Sequence, residues 1–463
     1  MPESLFSAFA PNTYQEWLDK VGKDLRGKPI ESLDSFTSDG FRIHPLFSSD
    51  FPNQPISEQP ISEQPAWTIV EEFIVSNEQE TNKIALDKLN RGATGLLFYV
   101  YEDVNLEFLL KDILIEHITI HFVVEGNAND VLAKWKDLIQ NRGLRLEDIK
   151  GSINVDPIEN AARTGFWQRD SESDLMALGE IVEDAPKNIK TLCVNANLYG
   201  NAGATPAQQI GFALAHSYEY INRFGKDYAG HVWLNLSIGG QYFEEIAKFR
   251  AMRRVWHFLL KQIEAENTPL HIYAESGFRN KTIFDPWVNM LRSTTQGMSA
   301  AIGGADEILL RPFNITYKVP QEFGNRIARN QQLILANESY FDKVSDPSAG
   351  SYFIENLTEE LANKAWQVFQ DIERNDGFIK CLEAGYIQNL IEKSAEIEEM
   401  RFNAGKLPLL GSNLFPNAAE QMKSEIEEPL FSQIPEGTDI KPIVAKRLSE
   451  EYEKERLEKE NDQ

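Results

Sequence analysis

Cysteine is scarce: Cys193 and Cys381 are the only two in 463 residues, far apart and in apolar surroundings. With no Cys-x-x-Cys, neither a structural zinc site nor a disulfide framework is expected, and both thiols are read as buried and structural. No apolar run approaches the roughly 20 residues that cross a bilayer. The opening residues, Met1-Pro2-Glu3-Ser4-Leu5-Phe6, lack the basic segment and apolar core of a secretory signal. They also lack the Arg-rich start of an organelle presequence, so a cytoplasmic protein is expected. Positive charge is in short supply too. Against 71 Asp and Glu stand 46 Lys and Arg, a formal net charge of −25. That balance repels phosphate backbones and argues against a nucleic-acid partner. No Gly-x-Gly-x-x-Gly follows the first apolar strand, which weighs against an open dinucleotide-binding sheet.

What is present suits a large globular core, with 42% hydrophobic and 25% charged residues. Residues 1–65 read as an N-terminal arm and linker. Tyr14, Trp17 and Leu18 share a helical face, Phe41–Phe47 is extended, and Pro55–Gln59 is repeated directly as Pro60–Gln64. Prolines at that spacing block helix and favour extended chain. From about residue 83, apolar runs alternate with amphipathic helices. The expected strands are Gly95–Tyr101, Ile118–Val123, Ile149–Asn154, Thr191–Ala196, His231–Ile238, Leu270–Glu275 and Glu307–Pro312. A short eighth is expected near Asp346–Phe353. Eight strands with helices between them predict an α/β fold, a (β/α)8 TIM barrel over residues 66–415. An open doubly wound sheet is the runner-up. Thr205-Pro206-Ala207-Gln208 is a capping box with proline at the first helical position, and Asp285-Pro286 opens a helix that stops at Gly303-Gly304. Residues 416–463 form a polar, partly helical tail, with Val444, Leu448 and Tyr452 at helical spacing.

Several segments, in this order and at these separations, resemble the barrel domain of the cobalamin-dependent acyl-CoA mutases, specifically the methylmalonyl-CoA mutase family. They are Asn201-Ala202-Gly203-Ala204-Thr205-Pro206-Ala207-Gln208, Glu245-Ile246-Ala247-Lys248-Phe249-Arg250-Ala251 and Arg253-Arg254-Val255-Trp256. Further on come Asp285-Pro286-Trp287-Val288-Asn289 with Arg292, Arg326-Ile327-Ala328-Arg329-Asn330-Gln331, and Asp346-Pro347-Ser348-Ala349-Gly350-Ser351-Tyr352. In active members, as the resemblance implies, pantetheine threads the barrel axis. A separate C-terminal flavodoxin-like domain brings adenosylcobalamin to the barrel mouth.

This chain departs from that pattern in ways that imply a non-catalytic subunit. None of its seven histidines has Asp two residues before it, so the family's Asp-x-His-x-x-Gly is missing. Only about 50 residues follow position 415, where a domain typically needs roughly 100 or more, so no cobalamin-binding flavodoxin-like domain is expected. Where active chains place a tyrosine and a carbonyl-binding histidine, this one has Asn197 and Leu198. Leucine cannot polarise a carbonyl. After Trp67-Thr68-Ile69 an active-site tyrosine is replaced by Glu72, which would repel a substrate carboxylate. Tyr101-Glu102-Asp103 stands where active chains have Thr-His-Arg. Active members line the axis with small side chains, whereas Leu96–Tyr101 and His271-Ile272-Tyr273 are bulky whichever alternate set points inward.

The expectation is therefore a small subunit with no catalytic residues, no cofactor and no metal of its own; Glu72, Asn197 and Leu198 are its degenerate positions. It would support the isomerisation of methylmalonyl-CoA and succinyl-CoA by a catalytic large subunit that carries adenosylcobalamin. The N-terminal arm is the expected partner contact, with Phe6 and Trp17 either anchoring it there or packing on their own barrel. The alternative is an independent or ligand-sensing acyl-CoA-binding barrel with a remodelled site. Glu275-Ser276 with His271 suggests a hydrolase only weakly, because no Gly-x-Ser-x-Gly elbow exists.

Overall fold

A computed structural model of the chain describes residues 12–49, 66–431 and 433–460. Eight parallel strands form its centre: β1 (Thr68–Ile74), β2 (Gly95–Tyr101), β3 (Thr119–Glu125), β4 (Lys150–Asn154), β5, β6 (Val232–Ile238), β7 (His271–Ser276) and β8 (Glu307–Leu309). β5 is interrupted at Thr191. Its first piece, Ile189–Lys190, pairs with β4, and its second, Leu192–Asn195, pairs with β6. β8 returns to β1 through Glu307↔Thr68 and Ile308↔Ile69. With the two pieces of β5 read as one strand, every neighbour around the ring is hydrogen-bonded. The expected TIM barrel is closed.

One strand differs from the expectation. The eighth member of the ring is β1, and the segment near Asp346–Phe353 is a turn that runs into a helix. Two carboxylates explain that turn: Asp346 and Glu355 both bind the buried Arg250 guanidinium. β1 is hard to read from sequence because Glu71 and Glu72 interrupt its apolar pattern. Each acid is held inside the fold by an arginine, Arg329 and Arg311 respectively.

The arm supplies α1 (Tyr14–Asp24). Around the ring stand α2 (Glu78–Asn90), α3 (Ala128–Asn141), α4 (Ser171–Asp184), α5 (Pro206–Phe224), α6 (Tyr242–Gln262), α7 (Val288–Gly303) and α8 (Glu322–Asn337). After β2 the crossover helix is only the short Leu106–Leu109. Beyond the barrel lie α9 (Tyr352–Arg374), α10 (Tyr386–Asn403) and α11 (Glu450–Lys459). The Thr205 capping box with Pro206 starts α5, and Gly304, in the left-handed region at φ 84°, ends α7. β3 and β4 approach closely at Gly151. A Cβ there would sit 1.7 Å from the Ile120 carbonyl oxygen, so only glycine fits.

The apolar core is mostly outside the ring, between strands and helices. Leu96, Phe98 and Val100 of β2 and Phe122 of β3 pack with Trp135 of α3. On the other side, Leu234, Leu236 and Ile238 of β6 pack with Phe212 of α5 and Phe249 of α6. Both cysteines are buried. The tail is more firmly attached than a solvated helix would be. Ile440 and Ile443 join the main core, and their N–H groups bond the carbonyls of Gly165 and Ala162. Glu453 of α11 is buried, pairs with Arg447 at 2.9 Å and accepts from the Ile283 N–H at 2.9 Å.

Candidate functional site

Because strand side chains alternate, the packing of Leu96, Phe98 and Val100 under the helices turns Leu97 and Tyr99 toward the axis. The same logic applies around the ring. Val70, Leu97, Cys193, Trp233, Tyr273 and Leu309 form one buried cluster, with Tyr99 and Val123 against it. Rings cross the axis: Trp233 and Tyr273 have centroids 4.7 Å apart, and His121 lies 5.4 Å from Trp233 and 5.8 Å from Tyr273. The axis is occupied by side chains, as the bulky residues of β2 and β7 led one to expect. Trp233, the largest of them, is a filler that the sequence did not single out, although an indole midway along an apolar strand was a visible signal.

Below this aromatic layer, toward the strand N-termini, Glu307 lies between two imidazoles. Its carboxylate is 2.6 Å from His121 Nε2 and 2.8 Å from His271 Nε2, and His121 Nδ1 meets Ser152 Oγ at 2.8 Å. Burial alone would raise the Glu307 pKa, but His121 and His271 together hold it well below the carboxylate range. Burial works against the His271 charge, yet its bond to Glu307 leaves its pKa raised.

Above the aromatic layer, at the C-terminal mouth where barrel enzymes place their chemistry, the inward residues are polar. Arg311, just past β8, reaches Glu72 at 3.2 Å and Glu275 at 3.4 Å. Asn197 Nδ2 donates to Glu275 at 2.8 Å and Asn235 Nδ2 at 3.3 Å. Asn154 and Asn195 exchange amide hydrogen bonds at 3.1 and 3.0 Å. Burial raises the Glu72 carboxyl against the pull of Arg311, and it pushes the Tyr99 hydroxyl up to about 12. Burial opposes the Arg311 charge, but Glu72 and Glu275 hold its pKa well above the usual arginine value.

Of the three positions singled out from sequence, two meet in this cluster. Glu72 binds Arg311, and Asn197 binds Glu275, which Arg311 also binds. Leu198 lies elsewhere: it is buried in the outer core between strands and helices. Arg311, Glu275 and Asn235 were not named from sequence as mouth residues. Their signal was a charged or amide residue at an inward position near a strand end. The Glu275-Ser276-His271 grouping dissolves, since His271 is at the other end of β7 and Ser276 Oγ accepts from the Arg311 N–H at 2.9 Å.

Residues 100–454 match the family described as methylmalonyl-CoA mutase. The chain is 34% identical over 448 residues to the methylmalonyl-CoA mutase small subunit of Porphyromonas gingivalis, covering 90% of this chain and 72% of that one. The chain belongs to the methylmalonyl-CoA mutase family. Small subunits of that mutase from Streptomyces virginiae and Propionibacterium freudenreichii are 28% and 27% identical to it. They cover 90% and 89% of this chain, and it covers 73% and 70% of theirs. The sequence resemblance is borne out.

Methylmalonyl-CoA mutases depend on cobalamin, and the barrel mouth of this member does not fit that group. Its inward side chains there are two carboxylates, a guanidinium and amides that bind one another. The histidines lie elsewhere. His121 and His271 bind Glu307 below the aromatic layer, and His231 sits beside Thr191. His216 of α5 is buried between Asp156 and Tyr199, at 3.0 and 2.9 Å. His257 of α6 binds Asn267, His44 belongs to the arm, and His117 precedes β3.

Proposed function

We propose that this chain is the non-catalytic small subunit of a heteromeric methylmalonyl-CoA mutase. In this reading it supports the adenosylcobalamin-dependent interconversion of methylmalonyl-CoA and succinyl-CoA by a large subunit. The observation that carries the proposal is the filled axis. A pantetheine chain would have to displace Trp233, Tyr273 and His121, which are buried and packed against each other. At the mouth, Glu72 and Glu275 outnumber Arg311, which disfavours an anionic thioester and with it an independent acyl-CoA-binding barrel. Glu72, Asn197 and Leu198 are its degenerate positions. The names of its relatives supply the rest: a small subunit implies a large one.

In this reading residues 1–65 are the arm and linker, 66–415 the degenerate barrel and 416–463 the tail. The assembly is cytoplasmic, and adenosylcobalamin resides in the large subunit. Among the described residues, no helix is long and apolar enough to cross a membrane.

The test is direct. The purified chain, mixed with adenosylcobalamin and gel-filtered, should carry no cobalamin absorbance and should not rearrange methylmalonyl-CoA; with its cognate large subunit it should form a stable heteromer. Stoichiometric cobalamin on the isolated chain would sink the proposal. Asn197→Tyr with Leu198→His should not restore turnover, because Glu72, Arg311 and the filled axis remain and groups of a site act as a unit.

A further inference from the structure

The described part of the arm is seated on its own barrel through carboxylates. Its two short strands, Ser35–Phe36 and Arg42–Ile43, pair antiparallel and bring the turn between them to the N-terminus of α5. There the Asp39 carboxylate accepts from Thr205 Oγ1 and, at 3.0 Å, from the Ala207 N–H. An acid of the arm thus satisfies one of the free N–H donors of a 19-residue helix and binds the hydroxyl of its N-cap. Beside it, Ser38 Oγ donates to Glu244 Oε2 of α6 at 3.2 Å. Thr37 is buried and Phe41 packs on the main core, so the seat is covered.

That seat brings like charges together. Glu244 faces Asp39 and Ser38 from the arm, Glu245 from its own helix and Arg401 from α10; Lys364 of α9 faces Asp39. Lys248, one turn along α6, is engaged by Glu245 at 2.6 Å, by Gln209 and by the Ser237 carbonyl. Glu244 itself is buried, and the hydrogen bond it receives from the arm comes from a neutral hydroxyl.

We propose that the arm is a proton-sensitive strap, closed on the barrel while Glu244 carries its proton and released when deprotonation sets that carboxylate beside Asp39. Burial, then the Asp39 charge, pushes the Glu244 carboxyl up to about 7, from an ordinary value of 4.5. Burial also raises Asp39, against its bonds from Thr205 and Ala207. The seated form therefore binds the extra proton. Seating is strongest at acid pH and is lost as pH rises through about 7. This holds for the isolated chain, whatever the arm contacts in an assembly.

Hydrogen exchange of the full-length chain tests it, with rates corrected for intrinsic chemistry at about pH 6 and about pH 8.5. Residues 35–43 and the Ala207 amide should lose at least about tenfold in protection at the higher pH. Glu244→Gln, which keeps the shape and an acceptor for Ser38, should hold the arm at both values. Asp39→Asn should weaken the pH dependence, because the second charge is gone. Equal arm protection in the wild-type chain at both values would overturn the proposal. So would a Glu244→Gln chain that loses as much as wild type. Protection of β6 reports whether either variant has failed to fold.

Discussion

At the scale of single residues, the mouth of the barrel is held by one cation shared between two acids. Arg311 is the partner of both Glu72 and Glu275, and each acid comes from a different strand. Arg311→Met would leave two largely buried carboxylates facing each other, and unfolding in urea should show a loss of about 3–5 kcal/mol. Adding Glu72→Gln to that variant should recover part of the loss, because the repulsion is removed. A loss under about 1 kcal/mol would place the cluster among ordinary surface ion pairs. Little of this was legible in the sequence. Glu72 and Asn197 were singled out by resemblance, but their partners depend on which strand ends meet. Leu198 follows Asn197 directly and yet faces the outer core, because both lie in the short helix Asn197–Asn201, where successive side chains point about 100° apart.

At the scale of elements, the arm has two parts with different roles. The hairpin around Asp39 is seated on the barrel, and Phe47 packs on Phe353 with ring centroids 5.3 Å apart. In α1 no residue is buried; Tyr14 and Trp17 stack on each other at 5.7 Å on its apolar face. Phe6 and Phe9, and the repeated segment at 55–64, lie outside the described residues. Deleting residues 1–28, which spares the hairpin, should leave the melting temperature of the isolated chain unchanged but weaken capture of the large subunit. Deleting 1–50 should also lower the melting temperature, by at most about 2–4 °C for each kcal/mol lost. Unchanged capture with either deletion would move the partner contact onto the outer helices. The amphipathic face of α1 was readable from the spacing of Tyr14, Trp17 and Leu18. The seat of the hairpin was not, since it depends on a helix terminus over 160 residues away.

At the scale of the whole molecule, the excess of acid has a measurable consequence. Burial pushes the carboxyls of Glu159, Glu244 and Glu373 up to about 7. Each has a folded pKa above its unfolded value, so each contributes stability that is present below about pH 4.5 and lost as pH rises through about 7. His271, also raised, changes in the same direction above its ordinary value of 6.5. Glu307 is depressed, so its contribution is present above its ordinary 4.5 and lost as pH falls. Thermal stability should therefore peak on the acid side of neutrality and decline toward pH 8. Replacing Glu159, Glu244 and Glu373 together by Gln should flatten that decline. A melting temperature that rises steadily from about pH 5 to pH 8 would contradict this account.

The sequence by itself determined the alternation of apolar runs and amphipathic helices, the caps at Thr205 and Gly304, and the family. These are local: a strand, a helix start or a motif is specified by residues near one another in the chain. Only the tertiary structure decided which alternate set of strand residues faces the axis, because a strand has a period of two and either face could have been buried until the helices covered one. It also decided that the first strand of the ring is the one carrying Glu71 and Glu72. Two acids in a strand are tolerated only where arginines reach them, and Arg329 and Arg311 are supplied from the far end of the barrel domain, where the ring closes.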